Sequence, residues 1–309
     1  MPALVATPRT PGSRRRAQSL SGPSRWTLFF ALPAVALYCF VLVVPTVRGA
    51  GFAFTDWDGI SRAIEWVGFD NFARVVTDPD SLAAFGVTLL IAGAVTVVQN
   101  TLGMLLALGV NSRIRSRNIL RVLLFAPAVM TPVVTAYVWK YILAPDGVLN
   151  GVLDGIGLPA LKQSWLGSPQ WGLVSIMLVI VWQFSGYSMV IFLAGLQGVP
   201  TEVVEASIMD GAGPVRRFWY VVRPFLAPAI TINLMLSVIG GLKLFDQVFI
   251  LTGGGPGGST NTLSTLIYKN AFTFGEFGYS IAMAIVLTLL VAIISSVQYR
   301  GLSKNEARG

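Results

Sequence analysis

Residues 199–224 read VPTEVVEASIMDGAGPVRRFWYVVRP, a charged segment between two long apolar runs at 171–196 and 224–245. A membrane-spanning helix needs roughly 18 or more predominantly apolar residues, and both runs have that length. The charged segment is thus a short loop whose two ends are both held at a membrane surface. We predict an all-α membrane protein that is organised around this loop.

The overall composition supports a membrane protein. Hydrophobic residues make up 54% and charged residues 12% of the 309 positions, whereas soluble domains are about 25% charged. The formal net charge of +8 is carried between the apolar runs, so we expect no nucleic-acid partner. The chain has no His and one Cys, Cys39, within the first apolar run. This excludes disulfide frameworks, Cys/His zinc sites and His-based acid–base catalysis, and we expect neither a metal site nor a catalytic residue.

The apolar runs predict a membrane domain over residues 25–300 with about six transmembrane helices. The predicted spans are 26–47, 82–110, 119–143, 171–196, 224–245 and 277–299, and residues 197–223 form the loop between the fourth and the fifth. Several spans contain Gly and Pro, which a bundle tolerates because neighbouring helices satisfy the freed backbone groups.

Both ends of the chain are polar. Residues 1–24 are rich in Arg, Pro, Ser and Gly without apolar periodicity, which predicts a disordered basic tail, and residues 301–309 form a second tail. Arg14 and Arg15 ahead of the first run resemble a twin-arginine export signal. Because the run at 26–47 is long enough to span and no A-x-A-like site follows it, we expect an uncleaved first span.

Basic residues predict the orientation of the chain in the membrane. They cluster in the first tail and in the segments 113–121, 216–223 and 300–308, while the alternate loops are rich in Asp and Glu. The positive-inside rule places the basic side in the cytoplasm, so both termini and the 197–223 loop are expected there. The same basic residues would also suit contact with anionic lipid head groups.

The predicted cytoplasmic loop has the pattern of a short helix followed by a turn. Thr201 is a helix-capping residue type, and Glu202 and Glu205 place negative charge near the positive end of the helix dipole. Gly211 and Gly213, followed by Pro, then predict the end of the helix.

A second helical stretch follows these glycines. Its apolar side carries Phe218, Val221 and Val222, and it leads to Pro224, where the chain returns to the membrane. A short stiff helix held between two spans is suited to pass motion between a soluble domain and the membrane helices. An amphipathic helix lying on lipid head groups has the same pattern, so both interpretations stay open at this level.

The loop resembles the EAA motif of binding-protein-dependent ABC importer permeases, in which Glu-Ala-Ala is followed by a spaced Gly and by Ile-x-Leu-Pro. The matching positions are Glu205, Ala206, Gly211 and Pro224, with Val221 in place of Ile, whereas Ser207 and Arg223 depart from the motif. In that family the loop forms a coupling helix seated in a groove of the ATPase subunit. The resemblance implies a coupling loop that comprises Glu205, Ala206, Ser207, Asp210, Gly211, Ala212, Phe218 and Pro224.

Most of the chain after the first tail resembles carbohydrate-uptake permeases, specifically the MalF/UgpA-like half of the pair. The stretches that carry this resemblance are FTDW at 54–57, GLQGVP at 195–200, EA at 205–206, DGA at 210–212, FD at 245–246 and LTGGGP at 251–256. It implies a MetI-like fold in a bacterial cytoplasmic membrane and a sugar or sugar derivative as substrate. It also implies a second MalG/UgpE-like permease chain, two ATP-binding cassette subunits and an extracytoplasmic solute-binding protein. The aromatic–acidic stretch at 52–59 suits contact with such a partner, and equally an aromatic membrane-interface belt.

Residues 253–260, GGGPGGST, approach the pattern of a phosphate-binding loop but lack its Lys. That cation neutralises the terminal phosphates of a nucleotide, and the segment lies on the predicted external side, so we expect no nucleotide there. No cofactor is expected on this chain. The resemblance assigns ATP and Mg to the partner ATPase.

Polar and aromatic residues inside the spans are candidates for a substrate path, because each costs free energy unless it finds a partner or lines a watery cavity. The candidates are Gln99, Asn100, Tyr137, Trp139, Gln183, Tyr187, Asn233 and Asp246. Amides exchange hydrogen bonds with sugar hydroxyls, and aromatic rings stack on sugar C–H faces. Hydrogen bonds between helices and interfacial aromatics would account for the same residues. For Lys243 beside Asp246, an ion pair, an interface position and a proton-coupled mechanism are all open.

Three classes of function fit these observations. The first is the non-catalytic permease subunit of an ABC importer. The second is a secondary transporter driven by an ion gradient, and the third is a membrane sensor or scaffold without flux. The loop at 197–223 favours the first.

Overall fold

The structure, a computed structural model, describes residues 25–112 and 115–306. Within these ranges the backbone is helical and forms no strand beyond an isolated antiparallel bridge between Thr55 and Trp66. The predicted disordered tail at 1–24 lies outside the described residues, as do 113–114 and 307–309. The helical architecture confirms the predicted all-α class.

The first helical region is described by itself. Helix α1, Arg25–Tyr38, continues through a π-helical turn at Cys39–Val43 into α2, Val44–Gly51. Together with the 3-10 turn Phe52–Phe54, it is long and apolar enough to cross a membrane. This agrees with the first predicted span.

The helices that follow differ widely in length. In chain order they are α3 Asp70–Thr77, α4 Pro79–Asn111, α5 Arg117–Val129, α6 Pro132–Ile142, α7 Val148–Gly155, α8 Pro169–Gln197, α9 Thr201–Met209, α10 Pro214–Arg217, α11 Arg223–Phe225, α12 Ala227–Leu242, α13 Asp246–Leu251, α14 Leu263–Phe272 and α15 Phe277–Glu306. A π-helical turn at Phe218–Val222 joins α10 to α11. Because α15 continues to Glu306, the start of the predicted C-terminal tail is helical.

Four helical segments are each long and apolar enough to span a membrane. They are Phe29–Phe54, Pro79–Asn111, Pro169–Gln197 and Phe277–Leu302. Two bent pairs, α5 with α6 and Pro214–Phe225 with α12, pass the same test when each pair is counted as one span. The predicted number of about six is reached only with both bent pairs.

The predicted span at 119–143 is not one straight helix. Helices α5 and α6 meet at an angle of 97°. Pro132 explains the break, because proline lacks an N–H donor and disfavours helical backbone in the residue before it. That residue, Thr131, is extended, and its hydroxyl accepts a 3.4 Å hydrogen bond from the N–H of Val134 at the start of α6.

The fifth span also differs from the predicted 224–245. The stretch Pro214–Phe225 meets α12 at 77°, with Leu226 between them. Pro224 and Pro228 flank this residue, and neither has an N–H to continue the helical hydrogen bonds. The chain therefore runs at a large angle to the membrane helix before it turns into α12.

Small residues let the membrane helices approach closely. A Cβ atom on Gly186 of α8 would lie 1.9 Å from the carbonyl oxygen of Leu124 in α5. A Cβ atom on Gly241 of α12 would lie 2.8 Å from the Cα atom of Ala92 in α4. Lipid tails are as apolar as the helices, so close packing and interhelical hydrogen bonds hold such a bundle together.

The segment between the 3-10 turn and α4 is fixed by polar contacts. The Nδ2 group of Asn71 donates to the carbonyls of Ala53 (2.9 Å) and Thr55 (2.8 Å). Arg74 in α3 forms a 2.9 Å ion pair with Glu276, just before α15. These contacts attach the predicted aromatic–acidic stretch to the start of α15.

Substitution of Gly241 by Ala tests the close approach of α12 to α4. The two helices must separate, because the new methyl group would lie 2.8 Å from a backbone atom of Ala92. Overpacking of this kind costs about 1–3 kcal/mol, so we expect a lower unfolding temperature for the purified protein in detergent. Gly240→Ala is the matched control, since nothing lies within 4 Å of a Cβ at that position. Equal effects of the two substitutions would contradict the packing.

Candidate functional site

The segment between α8 and α12 begins with the short helix α9. Glu205 and Ala206 are exposed on this helix, and Met209 at its end has 87% of its surface exposed. Ser207 is buried on the opposite side. The helix therefore packs through one side against residues 214–222 of the same loop, while Glu205 and Met209 remain exposed.

The predicted helix cap at Thr201 is wrong. Helix α9 begins at Thr201 itself, after Pro200 in extended conformation, and no side chain bonds the first N–H groups. Glu202 does lie in the first turn, where a carboxylate interacts favourably with the helix dipole.

The end of α9 is a Schellman motif built on Gly211. The N–H of Gly211 donates to the carbonyl of Ile208 (3.0 Å), and the N–H of Ala212 donates to the carbonyl of Ser207 (3.0 Å). Gly211 has a φ of +74°, in the left-handed region that glycine adopts without strain. This residue thus ends the helix and directs the chain toward Pro214.

Ser207, one of the two departures from the motif, fits its buried position. Its hydroxyl donates a 2.6 Å hydrogen bond to the carbonyl of Val204 within the same helix. A buried hydroxyl without a partner would be costly, and this local bond removes that cost. The helix therefore accommodates serine where the motif has a second alanine.

The stretch Pro214–Phe225, the second arm of the loop, joins α9 to the bend before α12. Phe218 and Val222 are half-buried along it, as the predicted apolar side requires, while Trp219 is exposed. The guanidinium of Arg223, the other departure, lies 5.2 Å from the centroid of the Trp219 ring in a cation–π contact. An arginine is tolerated here because it stays exposed and rests on an aromatic ring.

A cavity of about 1090 Å³ lies between the loop and the membrane helices α4, α8 and α12. The helices contribute mainly apolar groups such as Met104, Leu105 and Leu234. From the loop, Phe218 also lines it, and the exposed Glu205 lies at its margin. Any movement of α9 relative to α4 therefore changes the shape of this cavity.

Three amides of the predicted path join membrane helices. The Nε2 group of Gln99 in α4 donates to the hydroxyl of Ser188 in α8 (2.9 Å), and Nδ2 of Asn233 in α12 donates to the carbonyl of Ser188 (3.1 Å). The Nδ2 group of Asn100 donates to the hydroxyl of Ser237 in α12 (2.9 Å). Among the described residues, the Oδ1 atom of Asn100 has no partner, and the residue lines the cavity.

The fourth amide, Gln183, is fully buried where the third span bends. Its Nε2 group donates to the carbonyl of Met130 (3.0 Å), and its Oε1 atom accepts from Nε2 of Gln247 in α13 (3.1 Å). The break between α5 and α6 removes the helical partner of that carbonyl, and an unsatisfied backbone group in lipid costs several kcal/mol. Hydrogen bonding between helices thus accounts for these amides, and their contact with substrate stays a prediction.

The aromatic candidates differ from the amides in exposure. Tyr137 and Tyr187 have 52% and 41% of their surface exposed. Trp139 packs edge-on against Trp182, with ring centroids 5.3 Å apart, and Trp182 is 40% exposed. Trp182 was missed from sequence, although it lies next to Gln183 in the same apolar run.

Asp246 is half-buried at the start of α13. Among the described residues the ion pairs do not include Lys243, so the pairing of Lys243 with Asp246 that the sequence left open does not form. Across residues 25–112 and 115–306, no three His, Cys, Asp or Glu side chains come together as a metal site.

The loop and the helices around it match a known protein family. Residues 99–304 match the family described as "Binding-protein-dependent transport system inner membrane component". The matched range contains α9, the turn at Gly211, the second arm and all of α8 and α12.

Two curated relatives extend the match over nearly the whole chain. The "Multiple sugar-binding transport system permease protein MsmF" of Streptococcus mutans is 33% identical over 275 residues, 89% of this chain and 94% of the relative. The "Probable starch degradation products transport system permease protein AmyD" of Thermoanaerobacterium thermosulfurigenes is 32% identical over 281 residues, 91% of this chain and 95% of the relative.

A solved structure has the same fold. One chain of "a bacterial ABC transporter involved in the import of the acidic polysaccharide alginate" aligns with a TM-score of 0.79 at 21% identity, covering 90% of this chain and 96% of that one. The family match, the relatives and the shared fold agree with one another. The chain belongs to the inner membrane components of binding-protein-dependent transport systems and is a permease subunit of an ABC importer.

Proposed function

We propose that this subunit forms half of a transport path for a sugar or sugar derivative across a bacterial cytoplasmic membrane. The names of the two relatives, which specify multiple sugars and starch degradation products, support this substrate class. The exposed rings of Tyr137, Trp182 and Tyr187 also support it, because aromatic faces suit the C–H faces of sugars. The subunit is non-catalytic.

The complete transporter contains a second MalG/UgpE-like permease chain, two ATP-binding cassette subunits and an extracytoplasmic solute-binding protein. Dependence on a binding protein is part of the family description. ATP and Mg are bound by the cassette subunits, and this chain holds no cofactor.

The loop between α8 and α12 faces the cytoplasm, and both termini lie on the same side. Arg216, Arg217 and Arg223 in the loop support this orientation, since short cytoplasmic loops are enriched in Arg and Lys. The ATPase subunits are cytoplasmic and therefore meet the loop directly.

The geometry of α9 is the observation that carries the coupling mechanism. Its exposed side bears Glu205, Ala206 and Met209, while the Gly211 turn fixes the angle between α9 and the second arm. We infer that this exposed side, together with Asp210, seats in a groove of the ATPase subunit. Buried residues of the loop then transmit the displacement of α9 to α8 and α12.

The mechanism follows from these attachments. A solute-binding protein delivers the sugar on the external side, and ATP brings the two ATPase subunits together. Their closure tilts α9, and because α9 contacts the second arm, which leads into α12, the membrane helices shift between two states of access.

We place the exposed aromatic residues of α6 and α8 along the substrate path. Tyr137, Tyr187 and the Trp139–Trp182 pair offer ring faces. The Oδ1 atom of Asn100 is buried without a partner, so it can take a hydrogen bond from a sugar hydroxyl only after the surrounding helices move apart. Gln99, Gln183 and Asn233 position the helices behind this surface through their hydrogen bonds, and Asp246 lies near the external end.

Reconstitution with its partner subunits separates the three classes of function. The solute-binding protein is first screened with a panel of sugars that includes malto-oligosaccharides, and the best ligand is then used in vesicles. We expect uptake only with ATP. Gradient-driven uptake without the ATPase subunits would identify a secondary transporter, and binding without any uptake would identify a sensor.

Replacement of Glu205 by Ala tests the coupling contact. We expect ATP-driven uptake to fall about ten-fold, which corresponds to the loss of about 1.4 kcal/mol of interaction with the ATPase subunit. Glu202→Ala on the same helix is the control and should retain most of the uptake. If uptake by the Glu205 variant equals that of the wild type, the exposed side of α9 is not the coupling surface.

Replacement of Gly211 by Ala tests the turn itself. A residue with a Cβ atom costs about 1–2 kcal/mol in the left-handed region, so the angle between α9 and the second arm should relax and uptake should fall. Gly213→Ala is the matched control, because Gly213 has a φ of −62° and a Cβ finds open space at both positions. Gly211→Asn should recover part of the uptake, as Asn tolerates this conformation better. A harmful Gly213→Ala beside a neutral Gly211→Ala would refute this role.

A further inference from the structure

A second depression lies on the second arm, apart from the side of α9 that we propose meets the ATPase subunit. It has a volume of about 590 Å³ and is lined by Val215, Arg216, Trp219, Tyr220 and Arg223. We call it the basic groove, because its lining carries two guanidinium groups and no carboxylate.

The charges of the basic groove are not neutralised within the described part of the chain. The ion pairs among the described residues join Arg74 to Glu276 and Lys162 to Asp154, all distant in sequence from the groove. Arg223 is held at 5.2 Å over the Trp219 ring, which leaves its N–H groups available to an anion. The groove is therefore complementary to a negatively charged group.

The bend before α12 places the basic groove at a membrane surface. The second arm meets α12 at 77°, so it runs along the surface when α12 crosses the bilayer. Trp219 and Tyr220, which are 53% and 78% exposed, are the residue types that occupy the head-group region. An amphipathic segment with Arg on its polar side and aromatic rings beside them is typical of contact with lipid.

The basic groove borders an apolar space. Val215, Trp219 and Arg223 line both the groove and the cavity of about 1090 Å³ beneath the loop. A ligand with a charged head and a hydrocarbon tail can use both spaces at once. A free phosphate ion can use only the groove.

We propose that the basic groove binds the phosphate head group of an anionic phospholipid, with acyl chain entering the adjoining cavity. Guanidinium groups bind phosphate oxygens through paired charge-assisted hydrogen bonds, and two of them face this groove. The departure of Arg223 from the motif provides half of that charge, so the site is a feature of this chain rather than of the motif. Because the second arm links α9 to α12, a lipid bound here stiffens the connection through which the loop moves.

The test uses the complete purified transporter, stripped of lipid in detergent and titrated with phosphatidylglycerol under native mass spectrometry. We expect phosphatidylglycerol to remain bound more tightly than phosphatidylcholine. Arg216→Gln and Arg223→Leu should each weaken the binding about five-fold, which corresponds to about 1 kcal/mol per basic residue. Arg300→Gln removes the same charge from the exposed end of α15 and should leave the binding unchanged.

Further arms of the experiment identify other occupants. Arg223→Lys keeps the charge but loses the paired hydrogen bonds, so it should weaken the binding less than Arg223→Leu does. Unfolding temperatures show that each variant is folded. Displacement of the lipid by inorganic phosphate at equal concentration would overturn the proposal in favour of a simple anion site. Loss of the ATPase subunits from the Arg216 and Arg223 variants, with lipid binding intact, would overturn it in favour of a protein contact.

Discussion

The hydrogen bond from Gln183 to the carbonyl of Met130 is the contact on which the arrangement of the membrane helices depends. A break in a membrane helix leaves backbone groups without partners, and lipid offers none. Gln183 supplies that partner from α8 and also accepts from Gln247, so one side chain connects the broken third span, α8 and α13. Gly186, one turn further along α8, then allows α5 to lie against the backbone.

The same helix α8 leads into the loop to which we assign the coupling role. Its last turn contacts the start of α12, since a Cβ on Gly195 would lie 2.9 Å from side-chain atoms of Leu226 and Ala229. The two ends of the loop are thus in contact with each other, and this contact forms a junction between α8 and α12 from which α9 and the second arm extend. Under the coupling we propose, such a junction would transmit a displacement of α9 to two membrane helices together.

Much of this organisation was predictable from sequence, and the failures have physical causes. Run lengths located the helices, and the glycine pattern located the end of α9 at Gly211, because only a few residue types adopt its conformation. The 97° bend at Thr131 was not foreseen, since a proline in an apolar run is compatible with a kink or a full break. The roles of Gln99, Gln183 and Asn233 could not be predicted, because the sequence of an apolar run does not distinguish an amide that bonds another helix from one that bonds a ligand. The cap expected at Thr201 failed because Pro200 already sets the start of α9.

Cross-linking from the exposed end of α9 tests the central claim most directly. In a Cys39→Ser background, Met209→Cys carries a photoreactive cross-linker within the assembled transporter, and Ile60→Cys, 91% exposed in the segment before α3, provides the comparison. We expect position 209 to cross-link to an ATP-binding cassette subunit and position 60 to give no such product. A cassette-subunit product from position 60 and none from position 209 would contradict both the orientation and the role of α9.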